Sequence, residues 1–294
     1  MNAPTPSRGI PLQIEPYGNA LGAVIHGVDL AQPIDEATFA FIRKAFHDHG
    51  VIFFRDQDIT PEQHLAFARR WAPVDVNAFF AQVPGHPEIA EVRKEVDQKT
   101  NIGGSWHTDH SYDIEPAMGS LLLAREVPAQ GGDTLFANMA LAYEALSPGL
   151  KRTLNGLRAV HDTAHVFGRQ GAIARKGESE GRIGNTEAAT RKAVHPVVIR
   201  HPETGRPTLY VNSAFTTHFE GWTVKESEGL LRTLYEHAAR PEFSCRFVWR
   251  KGSLAFWDNR ATWHYALNDY HGHRRLMHRI TVQGGPIEAH ELAN

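Results

Sequence analysis

The chain has 294 residues, of which 41% are hydrophobic, and its formal net charge is −2 at neutral pH. This length suits one large domain or two small ones, and the near-neutral charge gives no global field that would draw the chain to nucleic acid or to an anionic membrane. No apolar run is long enough to cross a bilayer, and the single cysteine, Cys245, excludes an internal disulfide.

The amino-terminal half is predicted to alternate short strands with helices. Segment 1–9 is polar and contains Pro and Gly, which indicates a flexible tail without a signal peptide and, with the lone cysteine, favours a cytoplasmic location. Asp35 is a predicted N-cap, and Thr60 is followed by a proline and by Gln63 at the capping-box position. The elements predicted here are strands at 12–14, 23–26, 51–54, 89–93 and 120–124, and helices at 35–49 and from 60 to about 71.

The carboxy-terminal half is predicted to be richer in strands. Thr223 and Glu226 form a capping box that begins an amphipathic helix running to Ala239. Segment 166–193 is long, basic and Gly-rich with little periodicity, so we predict a lid or an insert there. The other predicted elements are helices at 139–145 and 148–157 and strands at 135–137, 194–200, 208–211, 243–249, 253–257 and 274–282.

A single domain over 1–294 is the organisation that this pattern favours. No internal repeat is visible, and no linker divides the chain. Many short strands, with helices early and near residue 230, are typical of a β-sandwich or barrel decorated with helices. The predicted fold class is therefore mainly β with flanking helices.

His107 and Asp109, in the run Trp106-His107-Thr108-Asp109-His110, are the most informative residues of the chain. If this run is extended, side chains two apart project from the same face, so an imidazole and a carboxylate point at one spot. His264, brought in from a distant strand, would complete a set of two histidines and one carboxylate. Such a set holds one face of a metal ion and leaves the other open, which suits Fe(II) chemistry with oxygen. The triplet alone is a weak signal, because one is expected by chance among 18 histidines.

Five segments together resemble the taurine dioxygenase / 2,4-dichlorophenoxyacetate dioxygenase (TauD/TfdA) family of Fe(II)- and 2-oxoglutarate-dependent enzymes. They occur in the family's order and with similar spacing, and the resemblance runs from about Leu12 to about Gly284. The joint pattern is far more specific than any single piece. The segments are Trp106-His107-Thr108-Asp109, Gly131-Gly132-Asp133-Thr134, Trp257-Asp258-Asn259-Arg260, His264-Tyr265-Ala266 and Arg274-Arg275-Leu276-Met277-His278-Arg279.

The resemblance implies a double-stranded β-helix (jelly-roll) core and a complete catalytic site. His107, Asp109 and His264 would be the iron ligands, with O₂ and 2-oxoglutarate as cosubstrates. Arg275 would bind the far carboxylate of 2-oxoglutarate, because a guanidinium pairs bidentately with a carboxylate, and the Thr134 hydroxyl would supply a further donor. Members of the family are commonly dimers or tetramers, so a homo-oligomer is expected.

Arg279 is the residue that the resemblance assigns to an acidic small-molecule substrate. It lies four residues beyond Arg275, so both side chains face the same side of a regular strand, although a structural salt bridge is the alternative role. The taurine-specific enzyme aligns a histidine, a tyrosine and an asparagine with Asn77, Phe80 and Gly103. These departures predict a roomier and more apolar pocket for an aryloxyalkanoate, a bulkier sulfonate or an alkyl sulfate.

The residues beside these motifs have two interpretations each. Trp257, Asp258 and Asn259 are expected to support the turn before His264, because metal-binding histidines usually have such support. A further three residues, His110, Tyr112 and Asp113, would either reach toward the substrate or lie at the surface.

The implied reaction couples decarboxylation of 2-oxoglutarate to hydroxylation of the substrate, with C–S or C–O cleavage if the hydroxylated carbon bears sulfur or an ether oxygen. Asp109 favours hydroxylation over halogenation, because related halogenases lack the carboxylate ligand. The alternatives are taurine dioxygenase proper, a Zn²⁺ or Mn²⁺ hydrolase or isomerase, and a non-catalytic jelly-roll metal-binding protein. The hydrolase would leave Arg275 and Thr134 without a role, and the intact ligand set argues against a non-catalytic protein.

Overall fold

Short β-strands make up most of the regular structure in the computed structural model, which describes residues 11–77, 79–167 and 190–292. The strands are β1 (Gln13–Pro16), β2 (Ala23–His26), β3 (Val51–Phe54), β4 (Val74–Asp75), β5 (Gln82–Val83), β6 (His86–Lys94), β7 (Gly119–Glu126), β8 (Thr134–Asn138), β9 (Arg158–Asp162), β10 (Lys192–Pro196), β11 (Val198–Arg200), β12 (Pro207–Leu209), β13 (Thr216–Phe219), β14 (Ser244–Phe247), β15 (Leu254–Asp258), β16 (Thr262–Ala266), β17 (Arg275–Val282) and β18 (Glu288–Ala289). The α-helices are α1 (Glu36–His49), α2 (Pro61–Arg69), α3 (Met139–Glu144), α4 (Pro148–Leu154) and α5 (Val224–Ala238). Within the described ranges, no helix is both long and apolar enough to span a bilayer.

A nine-stranded sheet is the largest element of the fold. Its strands run in the order β1-β2-β3-β15-β7-β17-β6-β5, and β4 pairs with the end of β17. A second sheet, β14-β8-β16, carries His264 on its edge strand. Two further three-stranded sheets are β10-β9-β13 and β12-β11-β18.

The middle strands of the nine-stranded sheet are buried on both faces, and their side chains divide between two hydrophobic clusters with the two-residue period of a strand. In β3, Ile52 and Phe54 belong to the cluster that contains the apolar faces of α1 and α2. Val51 and Phe53 point the other way, into a cluster shared with Phe136 of the small sheet. The two sheets therefore face each other with helices outside, which confirms the predicted jelly roll with flanking helices.

The helix starts agree with the sequence signals. The Asp35 carboxylate accepts a hydrogen bond from the Thr38 backbone N–H at 2.7 Å, which places the N-cap of α1 as predicted. Capping boxes that begin at Thr60 and Thr223 are both formed, at α2 and α5. These local interactions fix helix boundaries because they satisfy backbone donors that have no partner within the helix.

Several predictions need correction or fall outside the described residues. The predicted strand at 194–200 is two strands in different sheets, because Val197 leaves the ladder to bond with the Leu157 carbonyl and the Tyr210 N–H. No strand was predicted at β4, β5, β9, β13 or β18, and β16 was expected only as the distant strand that carries His264, without bounds. The tail at 1–9 and residues 168–189 of the predicted lid lie outside the described residues.

His64 of α2 is fully buried, and its burial has a consequence for stability at acid pH. Neither ring nitrogen has a hydrogen-bond partner among the described residues, and burial lowers the pKa of His64 from 6.5 to about 3. The unfolded state therefore binds one more proton than the folded state between these pH values. Stability is fully present above pH 6.5 and falls as the pH decreases toward 3.

Because of His64, the wild-type protein should lose about 1.4 kcal/mol of unfolding free energy for each pH unit below 6.5. We predict that His64→Leu, which lacks this group, loses about 2 kcal/mol less than wild type between pH 7 and pH 5. Urea unfolding at the two pH values measures this difference. The exposed residue His271 provides the control, because His271→Leu should keep the wild-type pH dependence. Equal acid sensitivity in His64→Leu and wild type would contradict the assignment.

Candidate metal and cosubstrate site

The structure brings His107, Asp109 and His264 together at one end of the sandwich. One ligand atom from each side chain lies within 4.8 Å of the others, and all three residues are buried. The Nε2 atoms of His107 and His264 lie 3.7 and 4.0 Å from the Asp109 carboxylate oxygens. This spacing lets one ion contact all three donors.

The backbone explains how residues so far apart in sequence meet. His107 forms an isolated antiparallel bridge with His264 of β16, through N–H to carbonyl hydrogen bonds of 3.1 and 2.8 Å. The expectation of a strand through Asp109 is wrong, because only His107 is paired and the chain turns at Asp109 and His110. His110 has a φ of 60°, in the left-handed region. A strand residue and a turn residue therefore present the two ligands of the H-x-D triplet.

The Asp109 carboxylate is held by a chain of side chains from the large sheet. Its Oδ2 accepts a hydrogen bond from the Ser120 hydroxyl at 2.9 Å, and Ser120 in turn contacts the Asn259 amide at 3.3 Å. The Thr108 hydroxyl donates to the Asn259 carbonyl. Asn259 thus supports the carboxylate ligand, whereas the expectation was that it supports His264.

The protonation states suit metal binding. Burial lowers the pKa of His107, and burial followed by the neighbouring His107 lowers the pKa of His264 well below 6.5. Burial alone would raise the pKa of Asp109, but the Arg279 charge and then the two histidines hold it well below 3.8. The His107 Nδ1–H donates to the Ser105 carbonyl at 2.7 Å, which leaves the Nε2 lone pair free to bind a metal. Two neutral imidazoles and one carboxylate are the donor set that Fe(II) oxygenases use.

A second group of possible metal ligands is already neutralised. His47, Glu203 and Asp258 also lie within ligand distance of one another. Both carboxylates bind the Arg260 guanidinium, at 2.9 Å from Glu203 and 2.7 Å from Asp258. Arg279 approaches Asp109 less closely, at 3.3 Å, so among the described residues His107, Asp109 and His264 are the group whose donors are better placed for a divalent cation.

Arg275 is buried at the start of β17. Its guanidinium is 5.7 Å from the Trp249 ring, and Nε and Nη2 have no hydrogen-bond partner among the described residues. Gly132 makes room for it, because a Cβ there would lie 3.3 Å from the Arg275 Cδ. A buried guanidinium with free donors is a site for a carboxylate, so the residues present fit 2-oxoglutarate.

Thr134 lies beside the same tryptophan. The Trp249 indole N–H donates to the Thr134 hydroxyl at 2.9 Å, so the hydroxyl keeps its own hydrogen for an acceptor. Arg274, the neighbour of Arg275, points away and pairs with Glu95 at 3.0 Å and with Glu126. The structure thus brings Arg275 and Thr134 to one pocket around Trp249 and separates Arg274 from it.

Arg279 lies on the metal side of β17, as its spacing from Arg275 predicts. Its Nη1 is 3.3 Å from the Asp109 Oδ2, and its guanidinium lies 4.5 Å from the centre of the Phe80 ring. Its Nε has no partner among the described residues. The guanidinium therefore contacts the metal site at one edge and keeps a donor for another anion.

Asn77 and Gly103 border this region in different ways. The Asn77 side-chain oxygen accepts hydrogen bonds from the Phe79 and Phe80 backbone N–H groups, so it forms the turn that positions Phe80. Gly103 has a φ of 79°, and a Cβ there would lie 3.3 Å from the His107 Cε1. The glycine leaves open space beside the imidazole ligand.

An aromatic cluster continues from the metal ligands. It contains the buried residues Phe79, Tyr112, Phe167 and Phe215. The Phe215 ring lies 6.3 Å from that of His107. This cluster provides an apolar surface next to the metal and to Arg279.

Known proteins are similar to this chain in sequence and in fold. The family model described as "Taurine catabolism dioxygenase TauD, TfdA family" matches residues 13–281. The chain belongs to the TauD/TfdA family. Its resemblance to that family is thereby confirmed, and it is an Fe(II)- and 2-oxoglutarate-dependent dioxygenase with O₂ as the second cosubstrate.

Three relatives within the TauD/TfdA family are described by their own activities. An alkylsulfatase from Acinetobacter baylyi is 34% identical over 93% of this chain and 85% of its own length. An α-ketoglutarate-dependent sulfate ester dioxygenase from Pseudomonas putida is 31% identical over 95% of this chain and 92% of its own. The solved structure of a taurine dioxygenase from Burkholderia xenovorans is 37% identical, with a TM-score of 0.79 over 96% of this chain and 97% of its own.

Several supporting residues of this TauD/TfdA site were not found by sequence reasoning. Ser120 lay in a predicted apolar strand, and its hydroxyl gave no sign that it would face a carboxylate. Trp249 was assigned to a strand without a role. A polar residue inside an otherwise apolar buried strand is the signal that could have indicated Ser120, because buried hydroxyls need a partner.

Proposed function

We propose that the enzyme oxidises an organic acid with an apolar chain, in the first place a sulfate ester, at the carbon beside the acid group. The observation that carries this is Arg279, a buried arginine with a free Nε donor between the Asp109 carboxylate and the aromatic cluster. An anionic headgroup would bind Arg279 while the apolar chain contacts the cluster. The reactive carbon would then lie near the metal ligands.

We assign His107, Asp109 and His264 to the iron, and Arg275 with Thr134 to the far carboxylate of 2-oxoglutarate. When bound, the iron supplies the oxidising chemistry that inserts one oxygen atom of O₂ into a substrate C–H bond. The chain's own groups position the cosubstrate through Arg275, orient the acid through Arg279 and keep water from the reacting carbon with the buried rings.

The proposed overall reaction balances in atoms and charge. An ester R–CH₂–OSO₃⁻, 2-oxoglutarate and O₂ give R–CHO, hydrogen sulfate, succinate and CO₂. One oxygen atom of O₂ enters succinate and the other forms the hydroxyl on the carbon that bears the ester oxygen. The C–O bond to sulfate then breaks as the hydroxyl becomes the aldehyde carbonyl.

A substrate panel tests the proposal. Succinate formation would be measured with alkyl sulfates and alkyl sulfonates of increasing chain length, with 2-phenoxypropionate and with taurine. We expect a medium-length alkyl sulfate to give the highest kcat/KM and to release sulfate in equal amount to succinate. A panel in which no acid stimulates succinate formation would overturn the proposal.

Taurine is the second candidate, favoured by the 37% identity to the taurine dioxygenase of known structure. Taurine carries an ammonium group two carbons from its sulfonate and has no apolar chain for the aromatic cluster. We therefore expect taurine to be the poorer substrate. The same panel decides, because a taurine kcat/KM above that of every alkyl sulfate would replace the first candidate with the second.

We predict that Arg279→Leu raises the KM for the acid substrate by about a hundredfold, because loss of one partner of a buried ion pair costs about 2–5 kcal/mol. The slow oxidation of 2-oxoglutarate without substrate should remain. Arg43→Leu, an exposed site on α1, is the control and should leave both constants unchanged. If Arg279→Leu had the KM of wild type, Arg279 would not bind the substrate, and its role would be the alternative one, a structural ion pair.

We also propose that the protein is a cytoplasmic homo-oligomer, a dimer or tetramer, built from a single domain. The lone cysteine is compatible with a reducing compartment, and the match to the family over 13–281 supports one continuous domain. Light scattering during gel filtration would measure the mass of the assembly against the 32.8 kDa chain. A mass equal to one chain would contradict the oligomer.

A further inference from the structure

Tyr112 lies in the wall of the aromatic cluster, three residues after the ligand Asp109. Its residue surface is only 4% exposed. Its ring packs edge-on against Phe79, with centroids 5.7 Å apart, and against Phe215, with centroids 4.8 Å apart. Phe215 in turn contacts the ring of the ligand His107. The phenol ring is therefore fixed one aromatic layer away from the metal site.

No hydrogen bond of the Tyr112 hydroxyl occurs among residues 11–77, 79–167 and 190–292, and the hydroxyl is not one of their fully enclosed unpartnered atoms, so it reaches open space. Buried tyrosines usually pair their hydroxyl, because a buried polar group without a partner costs free energy. Among its ring neighbours in the described residues, His110, 5.6 Å away between centroids, carries an acceptor, but the His110 Nε2 is itself unpartnered, so the two side chains do not bond to each other. The hydroxyl can therefore donate to a molecule that enters the pocket.

Phe80 connects the aromatic cluster of Tyr112 to Arg279. The Phe80 ring packs against the cluster, and the Arg279 guanidinium lies 4.5 Å from the centre of that ring. Burial raises the pKa of the Tyr112 hydroxyl well above 10, and the Asp109 and Asp113 carboxylates raise it further. At neutral pH it stays protonated and is available as a donor.

We propose that Tyr112 determines substrate specificity, its hydroxyl donating a hydrogen bond to an oxygen of the acid group that Arg279 binds. This rests on the proposed function, since it assigns a second contact to the same headgroup. A sulfate or sulfonate group has three terminal oxygens. One edge of a guanidinium donates hydrogen bonds to two of them, so a third oxygen is left for another donor. The Phe80 side chain has no polar atom. Asn77 uses its oxygen for the backbone and keeps an unpartnered Nδ2, so Asn77 and Tyr112 are two neutral donors here, and Tyr112 is the one within the aromatic cluster.

The test is Tyr112→Phe, which keeps the ring contacts and removes only the hydroxyl. Binding of the best alkyl sulfate would be measured by calorimetry on Mn(II)-loaded protein with N-oxalylglycine, and KM by succinate formation under air. We expect the Kd and KM for the sulfate to rise about tenfold, the equivalent of about 1.4 kcal/mol for one hydrogen bond. The KM for 2-oxoglutarate should stay unchanged, which also reports an intact fold.

Tyr210→Phe is the matched control. Tyr210 is likewise buried with an unpartnered hydroxyl among the described residues, but it packs against His161 and His195 outside the aromatic cluster. We expect its sulfate affinity to equal that of wild type.

Equal sulfate Kd values for Tyr112→Phe and wild type would overturn the inference. So would a Tyr112→Phe variant whose loss lies in metal or 2-oxoglutarate binding, because that would assign the hydroxyl to the cofactor site. If wild type itself binds and oxidises no acid of the panel, the proposed function fails and the assignment of Tyr112 fails with it. The wild-type measurement therefore distinguishes the two failures.

Discussion

Arg275→Leu is expected to raise the KM for 2-oxoglutarate about a hundredfold or more. The Arg275 guanidinium is buried, with two nitrogen atoms unpartnered among the described residues, so its charge is balanced when a carboxylate binds. Removing one partner of a buried hydrogen-bonded ion pair costs about 2–5 kcal/mol. Initial rates of succinate formation at varied 2-oxoglutarate measure the effect, and calorimetry with N-oxalylglycine measures it without turnover.

Arg274→Leu is a closely matched control, because it removes the same charge one residue away. Arg274 faces the opposite side of β17 and pairs with Glu95 and Glu126 at a partly exposed site. Exposed ion pairs contribute about 0–1 kcal/mol, so the variant should keep the wild-type KM. Similar KM values in the two variants would show that Arg275 does not bind the cosubstrate.

His107→Ala should lower Fe(II) affinity and dioxygenase activity by at least about a thousandfold, because even residues that only support a ligand contribute about 10–100-fold. The protein should still fold, since the hydrogen bonds between His107 and His264 are made by the backbone. Titration with Fe(II) under anaerobic conditions measures affinity separately from turnover.

Ser120→Ala provides a graded comparison with the loss of a ligand. It removes the hydroxyl that donates to the Asp109 carboxylate and leaves the three ligands in place. We expect Fe(II) affinity to fall about 10–100-fold. His271→Ala, at an exposed position, should bind iron like wild type. Full iron affinity in His107→Ala would refute the metal site.

The ligands could be predicted from sequence because the family motifs identify them one by one. His107 and Asp109 stand together in the chain, and His264 was assigned by its neighbours rather than by any local pattern. The helix caps at Asp35, Thr60 and Thr223 were predictable for a different reason. A cap joins residues only three positions apart, so the local sequence contains the whole signal.

The support around the ligands could be predicted only in part: Trp257 packs against His264 as expected, with ring centroids 4.7 Å apart, but the other contacts join distant strands. The period of apolar residues in β7 indicates burial, but it does not show that Ser120 would meet Asp109. The turn at Asp109 was missed because a strand pattern was extended through it. Likewise, Tyr112 had two open interpretations until its packing against Phe79 and Phe215 placed it in the interior.

The bridge between His107 and His264 bears on how the enzyme acquires its ion. Two main-chain hydrogen bonds align His107 and His264 whether or not their imidazoles bind a metal ion. The relative position of the two ligand residues is therefore set by folding. We therefore expect loading and removal of iron to be reversible reactions of a folded protein, unlike those of small zinc domains whose folding requires the ion. A chelated sample should thus regain activity at the rate of metal entry, without a refolding step.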